Sequence, residues 1–163
     1  MSPTGILHTS AAAIALVTGT MALAGPGFTA RHRRLGYAYV ASMTVMLGTA
    51  FGIYRMFGHW GPFHYLAVVS SVTLVGGMVP LWLRRPRGSY RVWHLAFMYW
   101  SLAGLYAALV AETGTRILPQ LGWGFVVGGT LAVMATANVL YRRRLEGWMA
   151  LTQPSSPPSE APN

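Results

Sequence analysis

The sequence predicts an all-α polytopic membrane bundle of five transmembrane helices, with the N-terminus outside and the C-terminus cytoplasmic. Three observations predict it. The 163 residues are 53% hydrophobic and only 9% charged, where a soluble domain has roughly one quarter charged residues. The apolar residues fall into five runs, each near the ~20 residues that cross a hydrocarbon core. All twelve basic residues are arginine, and most gather between alternate runs: Arg31, Arg33 and Arg34, then Arg84, Arg85, Arg87 and Arg91, then Arg142, Arg143 and Arg144. Arg55 and Arg116 alone fall at the opposite ends. Guanidinium groups resist translocation, so short arginine-rich connections mark the cytoplasmic side and orient the whole chain.

Ile6 to Ala24 is the first span. Ala22-Leu23-Ala24 resembles a signal-peptide cleavage site, but a signal peptide carries its charge before the apolar core, and here the arginines follow it. Leu35 to Phe57 is the second span, with Gly48 and Gly52 one turn apart as a close-packing pair. Gly58-His59-Trp60-Gly61-Pro62 is a turn, and Phe63 to Leu83 returns as the third span, with Pro80 near its end. Pro86 and Gly88 break any helix in the connection that follows. Val92 to Val110 is the fourth span, with Ala103, Ala107 and Ala111 forming a small-residue ridge. Glu112 to Arg116 reads as an outer loop, and Leu121 to Tyr141 is the fifth span, stopped by three arginines and carrying Gly124 and Gly128 as a second glycine pair. Residues 1–150 thus form one bundle, and the Pro/Ser-rich tail of 151–163 has nothing to bury and reads as disordered.

Composition removes several kinds of chemistry. No cysteine is present, which excludes disulfides, thiolate metal sites, iron–sulfur ligation and cysteine nucleophiles. The formal charge of +9 lies in short clusters rather than along an amphipathic face, so nucleic acid is not the implied partner; the lipid bilayer is. Arginine without lysine, with abundant Ala and Gly, matches a GC-rich bacterial genome and hence a multi-pass protein of the inner membrane. Paired acids, a nucleophile elbow and a phosphate-cradling glycine loop are all missing, so no enzymatic centre is predicted.

Certain short motifs resemble a bacterial family described only as membrane proteins of unknown function. They are His32-Arg33-Arg34-Leu35-Gly36-Tyr37 opening one span, Gly61-Pro62-Phe63-His64 opening the next, the Arg-rich hairpin, and His94 with Met98 and Tyr99 opening another. The resemblance covers roughly residues 30 to 116 and implies that histidines at span ends belong to a pattern.

The topology sorts the histidines into two layers. His32 and His94 lie at the arginine-bearing ends of spans two and four; His8, His59 and His64 lie at the opposite ends, with Glu112 and Arg116. Ionisable groups in spans are costly enough to be functional candidates. Two neutral imidazoles on facing helices suit the axial positions of a b-type haem, with Arg33, Arg34, Arg84 and Arg91 available for its propionates and Met98 as an alternative axial ligand. His64 with His8 or His59 would make a second, outer haem, and the pair a path for electrons. Two features argue the other way: His32 and His59 fall outside the apolar runs, and span-end histidines commonly serve only as interfacial hydrogen-bonding groups. His59, His64 and Glu112 are also donors that suit a divalent metal, although Glu112 is equally placed for an ion pair with Arg116 four residues on.

Two functions follow as expectations. One is a haem-binding electron-transfer or redox subunit, with haem or quinone as partner. The alternative is a non-catalytic accessory subunit, or a small permeation or sensing bundle, associated with other membrane-complex subunits.

Overall fold

The computed structural model describes residues 2–57, 61–117, 120 and 122–152, apart from some side chains near the ends of α2, α3 and α5. Among these the chain is all helix, with five helices and no strand: α1 (Pro3–Ala24), α2 (Ala30–Phe57), α3 (Pro62–Leu83), α4 (Tyr90–Ile117) and α5 (Gly122–Thr152). Each is long and apolar enough to cross a membrane. Of the predicted tail 151–163, Leu151 and Thr152 belong to the end of α5; the remainder and His59 lie outside the described residues.

The helix starts follow local chemistry. Ser2 caps α1 by accepting the Gly5 N–H at 3.2 Å, with Pro3 in the first helical turn. Thr29 caps α2 in the same way, its Oγ1 accepting the His32 N–H at 3.1 Å. That cap begins α2 at Ala30, five residues before the predicted Leu35, and carries Arg31 to Arg34 into the first turns. Pro62 opens α3 behind Gly61. The helix runs through Pro80 and ends at Arg84, whose left-handed backbone (φ 51°) turns the chain toward α4.

The last two helices run on past the expected boundaries. Glu112 to Arg116, read from the sequence as a loop, is the end of α4, and α5 continues through its arginines to Thr152. An arginine is a good helix former and ends only the lipid-embedded part of a helix, not the helix itself.

Each helix packs on its neighbour in sequence, and α1 also packs on α4. The first four helices therefore close into a ring, with α1 diagonal to α3 and α2 diagonal to α4. Its core combines Ala11 and Ala15 of α1, Tyr39 and Met43 of α2, Leu74 of α3 and Leu102 of α4. Helix α5 lies outside, on α4, through a second cluster of Tyr99, Ala103 and Ala137. The Ala103, Ala107 and Ala111 ridge is buried as its spacing predicts. A β-carbon added at Gly19 would come within 2.7 Å of the Tyr39 ring and 2.9 Å of Leu102, so a glycine there lets α1, α2 and α4 meet.

The glycine pairs picked from the sequence are not the contacts. Nothing described comes within 4 Å of a β-carbon at Gly48, Gly52, Gly124 or Gly128. Close approaches occur instead at Gly19, Gly76, Gly77, Gly114 and Gly129. One-turn spacing marks a smooth strip on a helix; which strip meets a neighbour depends on how the helix is rotated in the bundle.

Candidate functional site: a histidine-bridged cleft at the arginine-bearing end

Because the backbones of α2 and α4 stay apart across the ring and only side chains such as Tyr39 and Ser101 bridge them, the bundle opens between them toward one end. The opening is a cleft of about 1080 Å³ at the end where α1 and α3 finish and α2 and α4 begin. That volume is slightly above the ~300–1,000 Å³ range of small-molecule sites.

His32 and His94 lie in this cleft, with ring centroids 6.3 Å apart and planes at 78°. Both are partly buried. Each is held by a backbone carbonyl of the adjacent helix. The His32 Nδ1–H donates to the Ala22 carbonyl at 3.1 Å, one of the last four carbonyls of α1, which lack a partner within that helix. The His94 Nδ1–H donates to the Gly77 carbonyl of α3 at 2.8 Å. Gly76 and Gly77 allow this reach, because β-carbons there would meet the Phe97 ring at 2.8 Å and the Met98 Sδ at 2.6 Å. A carbonyl only accepts, so the neutral ring bonded to it through Nδ1 carries its proton on Nδ1 and leaves Nε2 bare. Both imidazoles are thus held in the tautomer that binds metals through Nε2, with the second-shell contact typical of metal-ligating histidine.

Arg33, Arg84 and Arg91 line the same cleft, as does Met98, whose thioether packs against Gly77. Arg34 is exposed and does not line it. The sequence reading missed Arg144, which α5 brings to the cleft by continuing past its apolar run. It also missed Phe28, whose ring lies 4.6 Å beneath the Arg91 guanidinium and 6.3 Å from the His32 ring. Phe28 has φ 60°, a left-handed backbone uncommon for a bulky residue. Two glycines and a proline around it, in Gly25-Pro26-Gly27, were the available signal. Deeper in, the buried Tyr39 hydroxyl is 2.9 Å from Ser101 Oγ.

The other candidates lie elsewhere. His8, in the first turns of α1, donates its Nδ1–H to the Met46 carbonyl at 3.1 Å and to Thr49 Oγ1 at 3.0 Å. It sits at the opposite end of the bundle from His32, since α2 rises about 1.5 Å per residue between the two levels. His64 is buried at the start of α3, where the Gly61 N–H meets its Nδ1 at 3.1 Å. Glu112 forms an ion pair with Arg116 on the last turns of α4. Among the described residues no three His, Cys, Asp or Glu side chains cluster as a metal site would require. The proposed grouping of His59, His64 and Glu112 includes His59, which lies outside those residues.

No protein-family model, no curated protein and no solved structure matches the chain. The functional reading therefore rests on the cleft alone.

Proposed function

We propose that the cleft holds a b-type haem with His32 and His94 as axial ligands, and that the protein is a membrane electron-transfer subunit. The observation that carries this reading is the 6.3 Å separation of two imidazoles on diagonal helices, each with Nδ1 committed to a carbonyl. A metal-bound imidazole nitrogen lies about 2 Å from its ion and the ring centre about 1 Å further, so two imidazoles flanking one iron have centres roughly 6 Å apart. The fit extends to the rim. A haem brings two carboxylates, and Arg33, Arg84, Arg91 and Arg144 line the cleft, where guanidinium–carboxylate bonds are strong and directional. When bound, the haem would supply one-electron exchange. The chain's own residues fix the ligand tautomers, neutralise the propionates and surround the macrocycle with apolar side chains.

The same reading places the protein in the bacterial inner membrane, N-terminus outside and arginine-bearing end cytoplasmic. Support for that orientation is the arginine asymmetry.

The test is an absorption spectrum of the purified, haem-reconstituted protein. We expect a Soret band that shifts on reduction, with sharp bands characteristic of two strong axial ligands. His32→Ala and His94→Ala should each remove that signature, and His8→Ala should keep it. A colourless protein that binds no added haem refutes the reading.

A further inference from the structure

The charges that line the cleft are unbalanced. Among the described residues four arginines line it and no carboxylate does, Glu146 being exposed on α5 outside the lining. The whole chain has three acidic residues, and Glu112 is committed to Arg116 at the far end of α4. Two propionates would balance two of the four guanidinium groups. Arg91 is additionally held by stacking on Phe28 and by its Nε–H bond to the Tyr90 hydroxyl at 3.3 Å. An excess of positive charge is left at a partly apolar recess, with Arg33, Arg84 and Arg144 exposed and Arg91 partly buried, so that an anion is attracted over about a Debye length.

We propose that the redox partner at this cleft is a small anionic one-electron oxidant, drawn to the exposed Arg84 and Arg144 that line it and reduced by one electron as the haem is oxidised. This rests on the haem reading for the electron transfer but not for the anion preference. A small partner is favoured because the arginines line the recess itself as well as its outer edge, and an ion reaches into a cleft that a folded acidic protein only covers.

Two measurements test it. In the first, the reduced holoprotein is mixed with hexacyanoferrate(III), which takes one electron from the ferrous haem to give hexacyanoferrate(II) and ferric haem. Hexaamminecobalt(III) is the cationic counterpart, reduced by one electron to cobalt(II). We expect the oxidation rate with hexacyanoferrate(III) to fall at least fivefold between low and high ionic strength, and the rate with the cation to rise or stay flat. Arg84→Gln and Arg144→Gln should each flatten the anion's salt dependence, while Arg116→Gln at the other end should not. The second measurement uses haem-free protein: iodide should quench the fluorescence of Trp82, which lines the cleft, more strongly than caesium does, and Arg84→Gln should shrink the difference. Trp82→Phe identifies that residue's share of the emission. Equal salt dependence for the two oxidants, or equal quenching by the two ions, overturns the proposal. A protein that takes up no haem yet prefers iodide refutes the proposed function and leaves the anion site standing.

Discussion

Replacing Gly77 by alanine tests the joint that aims His94. The new methyl would lie 2.6 Å from the Met98 Sδ and 2.9 Å from its Cγ, about 1 Å inside the roughly 3.5–4.0 Å at which carbon-sized atoms pack well. The Met98 backbone nitrogen, 3.4 Å away, belongs to α4 and cannot yield alone, so either the Met98 side chain swings out or α4 moves off α3. Overpacking of this kind costs roughly 1–3 kcal/mol, and the better helix propensity of alanine returns at most about 1 kcal/mol. A net loss of about 1 kcal/mol is expected. The larger effect falls on the ligand. Movement of α4 lengthens the 2.8 Å bond from His94 to the Gly77 carbonyl, and losing such a second-shell partner lowers metal affinity by about 10–100-fold. Stability is read from detergent-titrated unfolding by far-UV circular dichroism, and affinity from haem titration. Met98→Ala in the same chain empties the space the methyl needs, so the double variant should be more stable than the sum of the singles by about 1 kcal/mol. Strict additivity, or a Gly77→Ala protein with unchanged haem affinity, would refute the account of how α3 and α4 position the ring.

Three further outcomes are expected. Ser101→Ala should destabilise more than Tyr39→Phe, because a stranded buried phenol has no alternative partner while a stranded serine turns to the carbonyl four residues back; the pair is worth about 0.5–1.5 kcal/mol, and equal losses would contradict this. Arg116→Gln should change stability by less than about 0.5 kcal/mol, since the Arg116 and Glu112 side chains are 62% and 42% exposed; a loss above about 1 kcal/mol by the same unfolding assay would mean the pair is buried by something else. Finally, a chain with no native cysteine allows single-cysteine labelling: Ser2→Cys should react only from outside intact cells and Ser89→Cys only after permeabilisation; labelling of both from one side would refute the topology, and the opposite pattern would reverse its orientation.

The sequence resolved the helices better than their ends. Thr29 capping His32 extends α2 over residues whose charge had assigned them to a connection, because a charge profile reports where lipid stops and a cap reports where the helix starts. The histidine pair was legible as two imidazoles at one level. Its partners were not, because a backbone carbonyl such as that of Ala22 or Gly77 leaves no mark in a side-chain pattern. Arg144 was visible only as part of a stop signal, since its approach to the cleft requires α5 to continue and to lie against α4.

What the sequence by itself determined is the number of helices long and apolar enough to cross a membrane and the sorting of most histidines and arginines between the two ends of the bundle. Both follow from one-dimensional quantities: the length of apolar chain that fills a bilayer, and the cost of moving a guanidinium through it. Only the tertiary structure decided that α1 packs on α4 and closes the ring. That closure sets α2 and α4 on a diagonal, holds their imidazoles 6.3 Å apart, and leaves a cleft between them. Helix rotation and helix pairing are set by packing of side chains far apart in the chain, such as Gly19 against Tyr39 and Leu102, and no local pattern encodes them.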